Sequence, residues 1–192
     1  MAINLAATID SIFSYLQAYG MPTADRRQAG LEPAIIESKI HSLGLQAPED
    51  LVRIYGLCDG TNTVDGDVMG RIDFFPGYYW LDLAGALTVY GAIGHDYRWN
   101  ASWLPVFSNG DRDFYGVICD PASPHFGGVV GSLFGVSDCF VEFKNLTAMF
   151  EIIQRCFAEK IFFMLDGYLD GDDQKMFEIS CDVQPGFAMP DA

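Results

Sequence analysis

The spacing of apolar residues changes twice along this chain, and those two changes limit its fold more than any other feature. Leu5, Ile9, Ile12, Phe13 and Leu16 recur at helical intervals until Gly20 and Pro22, which predicts an amphipathic helix over residues 3–19. A second helix is expected from Pro33, suited to a first helical position, through Ile35, Ile36 and Ile40 to Gly44. Pro48 opens a third, with Glu49 and Asp50 at its positive end and Leu51, Ile54 and Tyr55 on one face, up to Asp59-Gly60. The period then shortens. Residues 72–75, 103–108, 114–119 and 129–134 are short β-branched or aromatic runs, the last three separated by Asn109-Gly110 and by residues 120–128. Leu81, Leu87 and Tyr90 suggest a helix between the first two runs, and from Leu146 the positions Leu146, Met149, Phe150, Ile153 and Phe157 return to helical spacing. Helices, then strands, then a helix predict an α+β domain: a mainly antiparallel, twisted sheet flanked by helices, not a repeating βαβ unit. Leu51, Ile54, Trp103, Phe107, Val117, Ile118, Phe150 and Ile153 are expected to supply much of the core.

With 192 residues, half of them hydrophobic, the chain has material for one well-packed domain, and disorder is excluded for most of it. Asp and Glu number 26 against 11 Lys and Arg, a formal charge of -15. Phosphate recognition needs a basic face, so nucleic-acid binding is excluded, and an anionic membrane surface is disfavoured. The same field attracts basic proteins or cations, or serves solubility alone; both readings stay open. Cys58, Cys119, Cys139, Cys156 and Cys181 are odd in number and contain no CxxC pair, so they read as buried hydrophobes in a reducing compartment. The N-terminus lacks a basic signal region, and the apolar stretch 83–94 is far short of the roughly 20 residues that span a bilayer. A cytoplasmic location is expected.

Enzymatic constellations are missing. Ser132 lies between glycines too far apart for a nucleophile elbow, and the cysteines lack the electropositive setting of a thiolate. His41, His95 and His125 are isolated, residues 166–173 lack the ligand spacing of a calcium loop, and Gly127-Gly128 has no phosphate-loop context. No catalytic, cofactor-binding or metal-ligating residue is assigned, and no cofactor is expected. The partner-binding candidates are Asp65, Asp67, Asp111 and Asp113 in two polar loops, where opposite charge would steer a basic partner, although Asp also serves turns for local reasons. Tyr78, Tyr79 and Trp80, next to Phe74-Phe75, form either a contact platform or core.

Three segments in order resemble a known family: Leu43-Gly-Leu-Gln-Ala-Pro48 leading to Ile54-Tyr55 and Asp59-Gly60; Trp103-Leu-Pro-Val-Phe-Ser-Asn-Gly110 leading to Phe114-Tyr115 and Cys119-Asp120; and Gly128-Val129, then Phe140 to Phe143 entering the long helix. Together they are similar to the SMI1/KNR4, or SUKH, superfamily over about residues 31–158. The resemblance implies an SMI1/KNR4-like core at 31–160, and the helix and connector read from the spacing at 1–30 precede it. Outside the resemblance, the composition of residues 161–192 predicts an acidic extension, packed partly on the core through 161–165 and frayed from 184. The resemblance also implies a non-enzymatic binding module, an immunity protein that neutralises a cognate toxin, often a nuclease or deaminase; the net charge of -15 adds the expectation of a basic toxin whose functional surface is occluded. The alternative is a regulatory or scaffolding protein, as in the control of cell-wall synthesis.

Overall fold

Asn4 begins the first helix by accepting a hydrogen bond from the Ala7 amide at 3.2 Å, which satisfies one of the orphan donors at a helix start. The computed structural model describes residues 3–64, 67–68, 70–93, 99–133 and 139–187. In chain order they form α1 (Leu5–Ala18), a 3-10 turn (Pro22–Arg26), α2 (Pro33–His41), α3 (Glu49–Leu57), β1 (Tyr79–Trp80), α4 (Leu83–Ile93), β2 (Trp103–Ser108), β3 (Phe114–Ile118), β4 (Val129–Ser132), β5 (Phe140–Phe143), α5 (Leu146–Ala158), β6 (Phe162–Leu165), β7 (Tyr168–Gly171) and α6 (Asp173–Val183). The fold is α+β. Strands β1 to β5 make one antiparallel sheet in sequence order, and β6 and β7 make a separate hairpin.

Helix α5 is central. Asn145 caps it at the Ala148 amide, 2.8 Å away, and Leu146, Met149, Phe150, Ile152, Ile153, Cys156 and Phe157 are all buried. It touches α1, α3, α6, β5 and β6. The apolar stripe of α1, Leu5, Ile9, Ile12, Phe13 and Leu16, joins the same buried cluster as the sheet, and so does Ile179 of α6. Both ends of the chain therefore contribute to a core that the resemblance ascribes to residues 31–158. At the middle, the Phe74 ring lies 5.5 Å from Phe13, 5.2 Å from Trp80, 5.9 Å from Phe107 and 5.6 Å from Phe150.

The segment 72–75 is not a strand of the sheet, contrary to the expectation from its composition. Phe74 and Phe75 are both buried, but only Phe75 makes a bridge, to Tyr78 across the tight turn, and neither pairs with a strand of the sheet. Instead Pro76-Gly77 turns the chain, the Tyr78 amide bonding back to Phe75 at 3.0 Å, and Tyr79–Trp80 pair with β2. Trp103 is also displaced from its expected role. Leu104 and Phe107 face the core, so Trp103 faces the other way and packs edge-on against Trp99 at 5.6 Å. Pro105, which cannot donate to a ladder, stands where the β2–β3 register shifts. Strand β4 ends at Ser132, and Phe134 lies outside the described residues.

Candidate binding site

The residues singled out from the sequence do not converge. Asp65 lies outside the described residues. Asp67 accepts from the Arg26 guanidinium and from the Val64 amide at 2.8 Å, and the Arg26 hydrogen bond holds its carboxyl below the usual carboxylate range. Its charge is thus matched within the chain. Asp113 accepts from Asn109 Nδ2 at 2.8 Å and donates its amide to Asn109 Oδ1 at 3.1 Å, which closes the β2–β3 loop. Asp111 donates its amide to the same oxygen at 2.8 Å and is exposed. Trp80 is fully buried and cannot touch a partner of the folded chain, which removes it as a contact residue. Tyr78 and Tyr79 are half-buried. Tyr78 stacks on Phe75 at 5.2 Å and meets the edge of Tyr115 at 4.8 Å.

Tyr115 leads to a site that the sequence did not single out. Its hydroxyl donates to Glu142 Oε2 at 3.0 Å. Glu142 is the residue where the β4–β5 register slips: Val129 faces Phe143 and Val130 faces Val141, leaving Glu142 without an opposite number. Such a bulge re-aims a side chain, and here the Glu142 carboxyl reaches over β4 at Gly131. A Cβ at residue 131 would lie 2.0 Å from Glu142 Oε1, so only glycine leaves that space. Burial pushes the Glu142 carboxyl up, against the opposing effect of the Tyr115 hydrogen bond. Burial, then the Glu142 charge, raises the Tyr115 hydroxyl well above its ordinary value; Tyr78 is raised by burial, Asp113 and Glu142. Among the described residues no Lys, Arg or His pairs with Glu142.

Helix α6 forms the opposite wall. Tyr115, Glu142, Phe143, Asp173, Met176, Phe177 and Ser180 enclose a hollow of about 210 Å³. Besides its packing on α5, α6 is tied to the edge of the sheet by Gln184, buried to 1 % exposure and not frayed as the composition of its segment suggested. Its amide oxygen accepts from the Lys144 N–H at 3.0 Å, while its nitrogen donates to the Glu142 carbonyl at 2.8 Å and to Ser180 Oγ at 3.0 Å. One side chain thus answers β5 as a neighbouring strand would. A larger hollow of about 660 Å³ lies where the starts of α1 and α2 meet α3, but its charged residues, Glu32 and Arg53, are exposed.

The β6–β7 hairpin presents a further surface. Phe163 pairs with Asp170 and Leu165 with Tyr168, so these four share its outer face. Phe163 is 39 %, Leu165 51 % and Tyr168 43 % exposed, beside Asp166 and Asp170. Among the described residues no group of three or more His, Cys, Asp or Glu is placed to hold a metal ion, and no helix is long and apolar enough to cross a membrane. Compared with models of known protein families the chain matches none, and no curated protein matches it significantly.

Proposed function

We propose that the chain is a non-enzymatic protein-binding module of the SMI1/KNR4 kind, acting as an immunity protein that covers the functional surface of a basic toxin. The observation that supports this most is the outer face of the β6–β7 hairpin, where exposed Phe163, Leu165 and Tyr168 stand beside Asp166 and Asp170 in a chain of net charge -15. Aromatic and aliphatic anchors inside a charged rim are the anatomy of a protein interface. The rim suits a partner of opposite charge, since like charges facing each other across an interface are penalised. The last 32 residues hold 7 acidic groups and 1 lysine, so a net six of the excess negative charges lie in this part of the chain. Asp111 adds an exposed carboxylate on the β2–β3 loop, whereas the ion-paired Asp67 contributes little to steering.

The test is to read the neighbouring genes for a secreted protein with a toxin domain and to co-express the chain with that domain; neighbours that encode none count against the immunity reading. The expected result is restored growth and a one-to-one complex whose association slows with added salt. Replacing Phe163 and Leu165 together by Ala should weaken that complex by about 2 kcal/mol or more, in the range of buried interface anchors. Growth that stays arrested, with no complex formed, overturns the proposal.

A further inference from the structure

Glu142 lines a hollow between the sheet and α6 together with Tyr115 and Asp173. One of its oxygens is held by Tyr115, and the other accepts no hydrogen bond among the described residues. The surrounding hollow is walled by Phe143, Met176 and Phe177 and has Asp173 as a second carboxylate; none of its lining residues is cationic. At about 210 Å³ it is smaller than the roughly 300–1,000 Å³ of pockets for drug-sized ligands, so it suits one side chain or one small cation.

We propose that this hollow is a receptor for a guanidinium group, the end of an arginine side chain inserted by a protein partner. A planar guanidinium offers five donors, enough for the free Glu142 oxygen and for Asp173, and its faces stack on aromatic rings. It is also less strongly hydrated than an ammonium, which lowers the cost of entering a half-buried site. The aromatic walls favour a cation through the negative faces of their rings. Three features prepare the place before any ligand arrives: the β-bulge that turns Glu142 inward, Gly131 that leaves room for its carboxyl, and Gln184 that fixes α6 across the opening. The inference rests on the protein-binding reading only for the source of the arginine.

The test titrates the isolated full chain with N-acetyl-arginine-N-methylamide and follows the Met176 methyl resonance, with the lysine and norleucine analogues as comparators. The expected result is a saturable shift with the arginine probe, weaker binding of the lysine probe and none of norleucine. Glu142→Gln should weaken binding about tenfold, the effect of losing one charge-assisted hydrogen bond. Asp173→Asn, an exposed change that leaves packing intact, should weaken it severalfold. No saturable shift, equal binding of norleucine, equal binding of lysine, or full affinity in a folded Glu142→Gln variant each overturns the assignment. Because the probes need no toxin, a failed neutralisation experiment and a failed titration are read separately.

Discussion

A methyl group on residue 131 would put its carbon 2.0 Å from Oε1 of Glu142, so the carboxylate keeps its position only beside a glycine on the neighbouring strand. Gly131→Ala should therefore destabilise the chain by about 1–3 kcal/mol, as overpacking does, because the Glu142 carboxyl must leave its place beside Tyr115. If that contact is the cause, Gly131→Ala made together with Glu142→Ala should cost clearly less than the two changes summed, the coupling expected of residues in contact. Urea unfolding of the four proteins measures it, and simple additivity would show that the clash is relieved elsewhere. Neither residue was legible as part of a site from the sequence. Gly131 lies inside the expected strand run 129–134, and Glu142 in Phe140-Val-Glu-Phe143, the segment read as leading into the long helix. Their meeting depends on a register slip, which period-2 patterning does not encode. Trp80 shows the converse. Its position beside Tyr78 and Tyr79 made it a contact candidate, yet it is the β1 residue whose ring joins Phe74, Phe107 and Phe150 in the core.

Helix α6 is tied to the sheet by one amide, since Gln184 answers both the Glu142 carbonyl of the edge strand β5 and the N–H of Lys144 just past its end. Gln184→Ala leaves these groups without protein partners and should cost about 1–3 kcal/mol, with amide exchange at Lys144 accelerated at least about tenfold. Unchanged exchange there would mean that packing at Ile179 and the Arg155–Asp182 ion pair hold the helix without the amide. The elements legible beforehand are those whose pattern is local: the apolar stripes of α1, α2, α3, α4 and α5, and the strand runs of β2, β3 and β4 bounded by turn residues. The β6–β7 hairpin did have a signal, because Asp166 at φ 51° and Gly167 at φ 84° form the two-residue Asp-Gly connection favoured between antiparallel strands. The acidity of residues 166–173 makes that run read as solvated, although its Leu169 faces the core as does Phe162 in the preceding stretch 161–165, which the sequence does place against the domain. Asp172, which caps α6 by accepting from the Lys175 amide at 3.2 Å, was hidden in the same run of carboxylates. Strand β1 was misplaced because two adjacent core phenylalanines imitate a β-rich run, while the pairing is decided by where Pro76-Gly77 turns the chain toward β2.

At the scale of the whole molecule, the excess of acid makes stability depend on pH in an unusual direction. Asp73 is 3 % exposed and no described Lys, Arg or His pairs with it. Burial raises its carboxyl to about 6, despite the Gly77 amide that donates to Oδ2 at 2.9 Å. Burial also raises Asp59 and Glu142. For such groups the folded state binds protons more tightly than the unfolded chain, so folding is favoured at low pH and loses free energy as pH rises from the unfolded value through the folded one. For Asp73 this window runs from 3.8 to about 6, and the cost of ionisation amounts to about 3 kcal/mol above it. Asp67 and Asp172 act oppositely, since their partners lower them from 3.8, and their contribution fades only when the pH falls below that value. Between pH 7.5 and 5 the raised groups therefore dominate, and partial neutralisation of a net charge of -15 adds to their effect. The urea midpoint is expected to increase as pH falls from 7.5 to 5, above the isoelectric region near 4.2 where association would intrude. Asp73→Asn keeps an acceptor for the Gly77 amide while removing the buried charge, and it should raise the midpoint at pH 7.5 and flatten the profile. A midpoint that falls on acidification, or a profile unaltered by Asp73→Asn, would show that Asp73 ionises in the folded chain as readily as in water.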